Sequence, residues 1–192
     1  MTKAGAAAKS SRPGQEPERQ IVLIGNPNAG KTTLFNALTG LRAKTANFPG
    51  TTIERRVGHT PLGGHRVRLL DLPGLYSVSG ATPEERVARD ALLGTLPGQA
   101  KPDLVLLLLD ATNLERNLYL ASQVLELGLP TVVALNMVDL AERASIQIDA
   151  ASLARELGCP VVPVVARSGP RWRTTYCATL PPTARPGCAL AW

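Results

Sequence analysis

The chain has 192 residues, 44% of them hydrophobic and 19% charged, with a net charge of +6, which suits one domain with a sizeable core and excludes disorder throughout. No apolar run approaches the ~20 residues that span a bilayer, and the N-terminus has no apolar secretory segment. Three cysteines without metal-ligand spacing, Cys159, Cys177 and Cys188, fit a reduced, cytoplasmic setting.

The basic charge does not read as a nucleic-acid interface. Residues 1–20 hold four basic and two acidic groups, and residues 170–192 hold three arginines and no acid. Residues 21–169 hold 14 basic against 13 acidic groups. A nucleic-acid binder concentrates charge on a folded face, so solvated ends are expected and no nucleic acid partner.

Residues 1–18, rich in Ala, Gly, Ser and Pro, read as a flexible leader. Arg19 to Ile24 reads as a buried strand. Gly25-Asn26-Pro27-Asn28-Ala29-Gly30-Lys31-Thr32-Thr33 follows at once, in the G-x-x-x-x-G-K-T spacing of a phosphate-binding loop. Gly25 and Gly30 let the backbone turn tightly against a phosphate. The loop amides form an anion nest at the positive end of the helix that starts near Lys31. Lys31 is expected to reach the β- and γ-phosphates, and Thr32 to place its hydroxyl on Mg²⁺. Gly40 closes that helix.

Leu41 to Thr52, with Asn47, Pro49, Gly50, Thr51 and Thr52, reads as a loop. Ile53 to His59 and Arg66 to Leu70 read as a strand pair joined by a turn at residues 61–64. They lead into Asp71-Leu72-Pro73-Gly74, where the carboxylate can hold Mg²⁺ through water and the Gly74 amide can approach a γ-phosphate. Tyr76 to Ala81 reads as mobile. A helix runs from Pro83 to about Leu93, with Pro and acids in its first turn. Asp103 to Asp110 reads as a central strand buried on both faces. A helix capped by Asn113 then runs to Leu127, and Pro130 to Leu135 is a further strand. It ends in Asn136-Met137-Val138-Asp139. A carboxylate at Asp139 can accept hydrogen bonds from N1–H and N2–H₂ of guanine, a donor pair adenine lacks. Asn136 would tie this segment to the phosphate loop. Ala150 to Leu157 is a short helix, and Val161 to Val165 the last strand, followed by Ala166-Arg167-Ser168-Gly169, where an amide can meet guanine O6. Strands alternating with helices predict an α/β fold, a mostly parallel sheet with helices on both faces and ligands at the strands' carboxyl ends, where all these motifs sit.

The ordered set GNPNAGKTT, NFPGTT, DLPG, NMVD and VARSG resembles the five guanine-nucleotide motifs of a P-loop NTPase of the Ras-like, TRAFAC-class small GTPase type. More closely, NPNAGKTTLFNALTG, FPGTTIERRVG, LLDLPGLYS, DATNLERNLYL and VALNMVDLAE resemble the N-terminal G domain of the ferrous iron transport protein B (FeoB) family. The resemblance covers residues 20–169 and divides the chain into a leader (1–18), a G domain (19–169) and an irregular tail (170–192) outside the family pattern. It implies a domain that binds GTP and GDP with Mg²⁺ and hydrolyses GTP slowly. Thr52 would join Thr32 and Asp71 on the metal, and Lys31, Thr52 and Gly74 would act in hydrolysis. Asn28 would hold K⁺ as a charge-neutralising activator. Gly50, Thr51, Leu72, Pro73, Met137, Val165, Ala166 and Arg167 would line the nucleotide, with Ala166 giving its amide to guanine O6. In the family, such a domain regulates Fe²⁺ uptake from the cytosolic side of the bacterial inner membrane, beside a helical domain and a membrane transport domain that this chain does not show.

Three departures stand out. Leu75 replaces the water-orienting Gln of Ras-like enzymes. Met137 replaces the Lys whose stem covers the base plane. After Gly169 the chain shows no closing helix, which predicts bare apolar surface on one side of the sheet and a tail of foreign origin, from a truncation or a shifted reading frame. An RNA- or ribosome-associated GTPase and a non-catalytic nucleotide-binding fragment stay open as alternatives; Asp139 disfavours an ATPase.

Overall fold

The computed structural model describes residues 18–62 and 65–166. Seven strands form one sheet in the order β2-β3-β4-β1-β5-β6-β7. In chain order the elements are β1 (Arg19–Gly25), α1 (Lys31–Thr39), β2 (Ala43–Asn47), β3 (Glu54–Leu62), β4 (His65–Asp71), α2 (Pro83–Leu93), β5 (Leu104–Asp110), α3 (Leu114–Glu126), β6 (Thr131–Asn136), α4 (Val138–Arg143), α5 (Ala150–Leu157) and β7 (Val161–Pro163), with a 3₁₀ turn over Ala111–Asn113.

β1, β5 and β6 are buried almost throughout, as apolar runs covered on both faces require. They pair parallel to one another and to β4 and β7. β2, β3 and β4 pair antiparallel. One core cluster joins β1, β4, β5 and β6 to α2 and α3, and the other joins the opposite faces of β1, β4, β5, β6 and β7 to α1. Leu34, Phe35 and Leu38, spaced on one side of α1, form the centre of the second. Among the described residues α1 is alone on its side of the sheet. On that side Val132, Ala134, Val162 and Val164 are buried. They belong to the same buried cluster as Leu34, Phe35 and Leu38 of α1. The tail after Gly169, where the sequence shows no closing helix, lies outside the described residues.

Several local expectations change. Residues 43–47, read as loop, form an edge strand whose five side chains are all exposed; β3 holds it by backbone pairing alone. Pro61 and Leu62, read as turn, belong to β3. The last strand stops at Pro163, not Val165. Asn113 makes no side-chain cap for α3. Asp110 caps instead, one 3₁₀ turn earlier, accepting from the Thr112 N–H at 2.8 Å.

Candidate nucleotide site

The phosphate loop leaves β1 where it meets β5. Gly25 is required there, because a Cβ would stand 2.7 Å from the Leu108 carbonyl oxygen. At Gly30, φ is +90°, and a Cβ would meet Asn136 Nδ2 at 2.4 Å. Asn28 also adopts the left-handed region, φ 66°, which Asn tolerates better than most residues. The loop delivers its chain into the first turn of α1, whose Gly30 cap has no side-chain acceptor for the leading N–H groups. Those donors and the helix dipole face the same way, as an anion site requires. Asn26, Pro27, Asn28, Gly30, Lys31, Thr32, Thr33 and Gly74 line one cleft of about 480 Å³.

Parallel pairing of β1 with β4 sets Leu23 against Asp71, and so brings Asp71 beneath the loop. Lys31 Nζ stands 2.6 Å from Asp71 Oδ1, both side chains largely buried. Burial pushes the Asp71 carboxyl above its ordinary range, and the Lys31 ammonium only partly offsets that. The sequence points Lys31 to phosphate; here it neutralises Asp71, since either charge buried alone would be costly. A phosphate group must compete for Lys31 with that carboxylate. Thr32 is exposed at the cleft. Its hydroxyl and the Asp71 carboxylate are hard oxygen donors of the kind Mg²⁺ takes, so these residues fit the metal.

Beyond Asp71, the chain hugs the phosphate loop. Leu72 N–H donates to Leu23 O at 3.0 Å and Leu75 N–H to Gly25 O at 3.1 Å. Gly74 lies so near Pro27 that a Cβ would stand 3.1 Å from Pro27 Cα. Leu75 is buried in the core cluster, so its side chain cannot orient water. Tyr76 to Ala81, read as mobile, is fastened from two helices. Gln123 Oε1 accepts from Ser77 Oγ (3.0 Å) and Val78 N–H (2.8 Å). The Arg116 guanidinium lies 4.1 Å from the Tyr76 ring centroid. Glu85 accepts from Ser79 Oγ and the Ala81 N–H. Gln123 and Arg116 are absent from the residues singled out by sequence. Their only signal is a spacing of seven, two turns on one side of α3, which any helix contains.

The base-side motif is built around Asn136. Asn136 is buried and donates from Nδ2 to Ala29 O at 2.9 Å, tying the end of β6 to the phosphate loop. Its Oδ1 accepts the Ala166 N–H at 3.0 Å. The resemblance assigns that amide to guanine O6; in this structure its bond to Asn136 Oδ1 ties the chain after β7 to the end of β6. Val165 is half-buried after β7, and Arg167 lies outside the described residues. Met137 has φ 62° and opens α4, and its Cε lies 3.6 Å from where a Gly30 Cβ would stand. A thioether stem thus lies beside the phosphate loop, in place of the Lys stem that the sequence lacks. Asp139 sits half-buried in the first turn of α4.

Gly50, Thr51 and Thr52 do not line the cleft. They form a turn closed on itself: Phe48 N–H donates to Ile53 O at 2.9 Å, and Thr51 Oγ1 donates to Phe48 O at 3.1 Å and accepts from the Ile53 N–H at 3.2 Å. Phe48 is the buried anchor of this segment, while Thr52 is exposed.

Residues 19–175 match the family described as Ferrous iron transport protein B. The Fe(2+) transporter FeoB of Salmonella typhimurium is 50% identical over 153 residues, which are 78% of this chain and 19% of that protein. This chain therefore spans about a fifth of the curated relatives it matches. An S. thermophilus NFeoB variant bound to GDP superposes with a TM-score of 0.75 at 42% identity, covering 84% of this chain and 61% of that one. The G domain of the T. maritima FeoB iron transporter gives 0.72 at 37% identity, covering 84% and 99%.

Proposed function

The chain belongs to the ferrous iron transport protein B family, and on that footing we propose that it is a guanine-nucleotide switch domain that binds Mg²⁺·GTP and hydrolyses it slowly. The Asn136 bridge carries the reading: one buried side chain locks the phosphate loop to both base-side segments, so phosphate and base are held in one fixed relation. The GDP bound to the S. thermophilus relative supports the same ligand.

Each residue has a task in this reading. The loop amides and Lys31, once drawn from Asp71, neutralise the β- and γ-phosphates. Thr32, Thr52 and Asp71 hold Mg²⁺, which shields phosphate oxygens when bound. Thr52 reaches the metal only if its turn moves inward, so nucleotide state is read by residues 48–53 and 72–81. Asp139 reads guanine. With Leu75 buried and no side chain there to orient water, hydrolysis is slow. Asn28, exposed at the cleft rim, is placed to hold K⁺ as a neutralising cation. We assign the domain to an Fe²⁺ transporter, as the names of its relatives suggest, and to its cytosolic side, by likeness to the cytosolic domain of L. pneumophila FeoB.

Titration of the chain with fluorescent GDP, with GTP and ATP as competitors, tests this. GTP is expected to displace the probe and ATP not to, with discrimination of roughly 10⁴-fold that Asp139→Asn abolishes. Equal displacement by ATP overturns the reading. Turnover is expected to be faster in K⁺ than in Na⁺, and Asn28→Ala to erase the difference.

A further inference from the structure

Near-balance of charge between residues 21 and 169 conceals an uneven distribution. Side chains alternate along a strand, and partners in register share a face. Lys44 lies in a row with Val57, Leu70 and Val22; His59 with Arg68 and Gln20; Pro61 with Arg66; and Ala46 with Arg55. All these rows lie on the side of the sheet away from α1, because Gly58 on the alternate face has Thr39 and Phe35 against it. Two contacts agree. Arg68 donates to Gln20 Oε1 at 3.3 Å, and Val22, Val57 and Leu70 pack in the cluster of α2 and α3.

That cluster covers only part of the face. Lys44, His59 and Arg66 are exposed, and Arg55 and Arg68 half-buried. The result is a margin of four permanent cations over β2–β4. The acid beside it, Glu18, is engaged by His59 Nδ1 at 2.8 Å. Among the described residues Lys44, Arg55 and Arg66 enter no ion pair. Arg55 Nε is moreover buried without an acceptor.

We infer that this margin docks the domain on an anionic lipid surface. The cations are spread along three neighbouring strands, which suits a layer of negative headgroups rather than a single small anion. No Phe, Tyr or Trp stands in these rows, which disfavours single-stranded nucleic acid. Lys44 and Arg55 belong to the two strands that flank residues 48–53, so lipid contact reaches the segment that carries Thr52.

Co-sedimentation of the chain with vesicles of phosphatidylcholine, with and without phosphatidylglycerol, tests the inference at low and high salt. Binding is expected only with phosphatidylglycerol, and is expected to fade as salt screens it. Each cation near such a surface contributes roughly fivefold, so Lys44→Gln with Arg66→Gln should weaken binding about 25-fold. Both side chains are exposed, and an unchanged thermal unfolding midpoint is expected in the double variant. Arg155→Gln, on exposed α5 near the other edge of the sheet, should bind like the parent. Absence of binding to phosphatidylglycerol, equal binding to neutral vesicles, indifference to the double substitution, or tighter binding of single-stranded RNA through the same residues would each overturn it.

Discussion

The base side of the cleft and the segment carrying Thr52 are built in opposite ways. On the base side, buried Asn136 makes two hydrogen bonds that cross 107 and 30 residues of chain. Nothing there can shift without breaking contacts between β1, β6 and the chain after β7. Residues 43–53 are held by their own backbone turn, by an edge pairing with β3 and by a single buried anchor, Phe48. Stability is unevenly spread through proteins, and elements that must move come from its weak end. The contrast therefore assigns tasks: the base side holds the ligand, and the edge reports which ligand is present.

The most severe way to break the contrast is Asn136→Ala. It leaves the Ala29 carbonyl and the Ala166 N–H buried and unpaired, roughly 2 kcal/mol each and about 4 kcal/mol together. A large fall in the urea midpoint is expected, with loss of fluorescent GDP binding. A variant that kept both would show that this side is not held by the bridge.

Phe48→Ala probes the other side. Truncating a buried phenylalanine costs about 3 kcal/mol at the low end of its range, and an edge that can detach by itself keeps the cost there. Hydrogen exchange is expected to quicken at the amides of Phe48, Thr51 and Ile53, while β1, β5 and β6 stay protected. Uniform loss of protection would mean that the edge and the core unfold as one unit, and the division of tasks would fall.

The same contrast explains how much the sequence disclosed. The phosphate loop, the Asp71 turn and the Asn136 motif were legible because each is a short run of residues whose chemistry depends on spacing. The buried strands were legible as unbroken apolar runs. β2 was not: an edge strand exposed at all five positions carries no alternation, and only its register with β3 makes it a strand. α4 was missed because six residues are too few to show helical periodicity. The Lys31–Asp71 pair joins residues 40 apart, and becomes visible only when parallel pairing sets Leu23 beside Asp71. The bond from the Ala166 N–H to Asn136 Oδ1 was not legible because a backbone donor has no sequence signature of its own, and its partner is decided by whichever acceptor the fold brings nearest.

The smallest expected effect sharpens the comparison at a third place, the stretch from Tyr76 to Ala81. It is fastened by side chains that are half-buried (Gln123, Glu85) or exposed (Arg116), so it should be intermediate between the rigid base side and the edge. Glu85 is the titratable member. The Ser79 hydroxyl, first, and the backbone N–H groups near it hold its carboxyl below the ordinary value of 4.5. A carboxyl depressed in the folded state stabilises that state above its unfolded pKa, and the contribution is lost as pH falls through the folded value. Acidification below 4.5 is therefore expected to lower the protection of the Ala81 amide, measured against an unprotected amide at the same pH, before that of the β-strands. Glu85→Gln should remove this pH dependence while changing stability near neutrality by only a few tenths of a kcal/mol, as surface substitutions do. Should the protection of Ala81 stay constant across that range, the loop is held by Gln123 and Arg116 from α3, and the tie to α2 contributes nothing to its order.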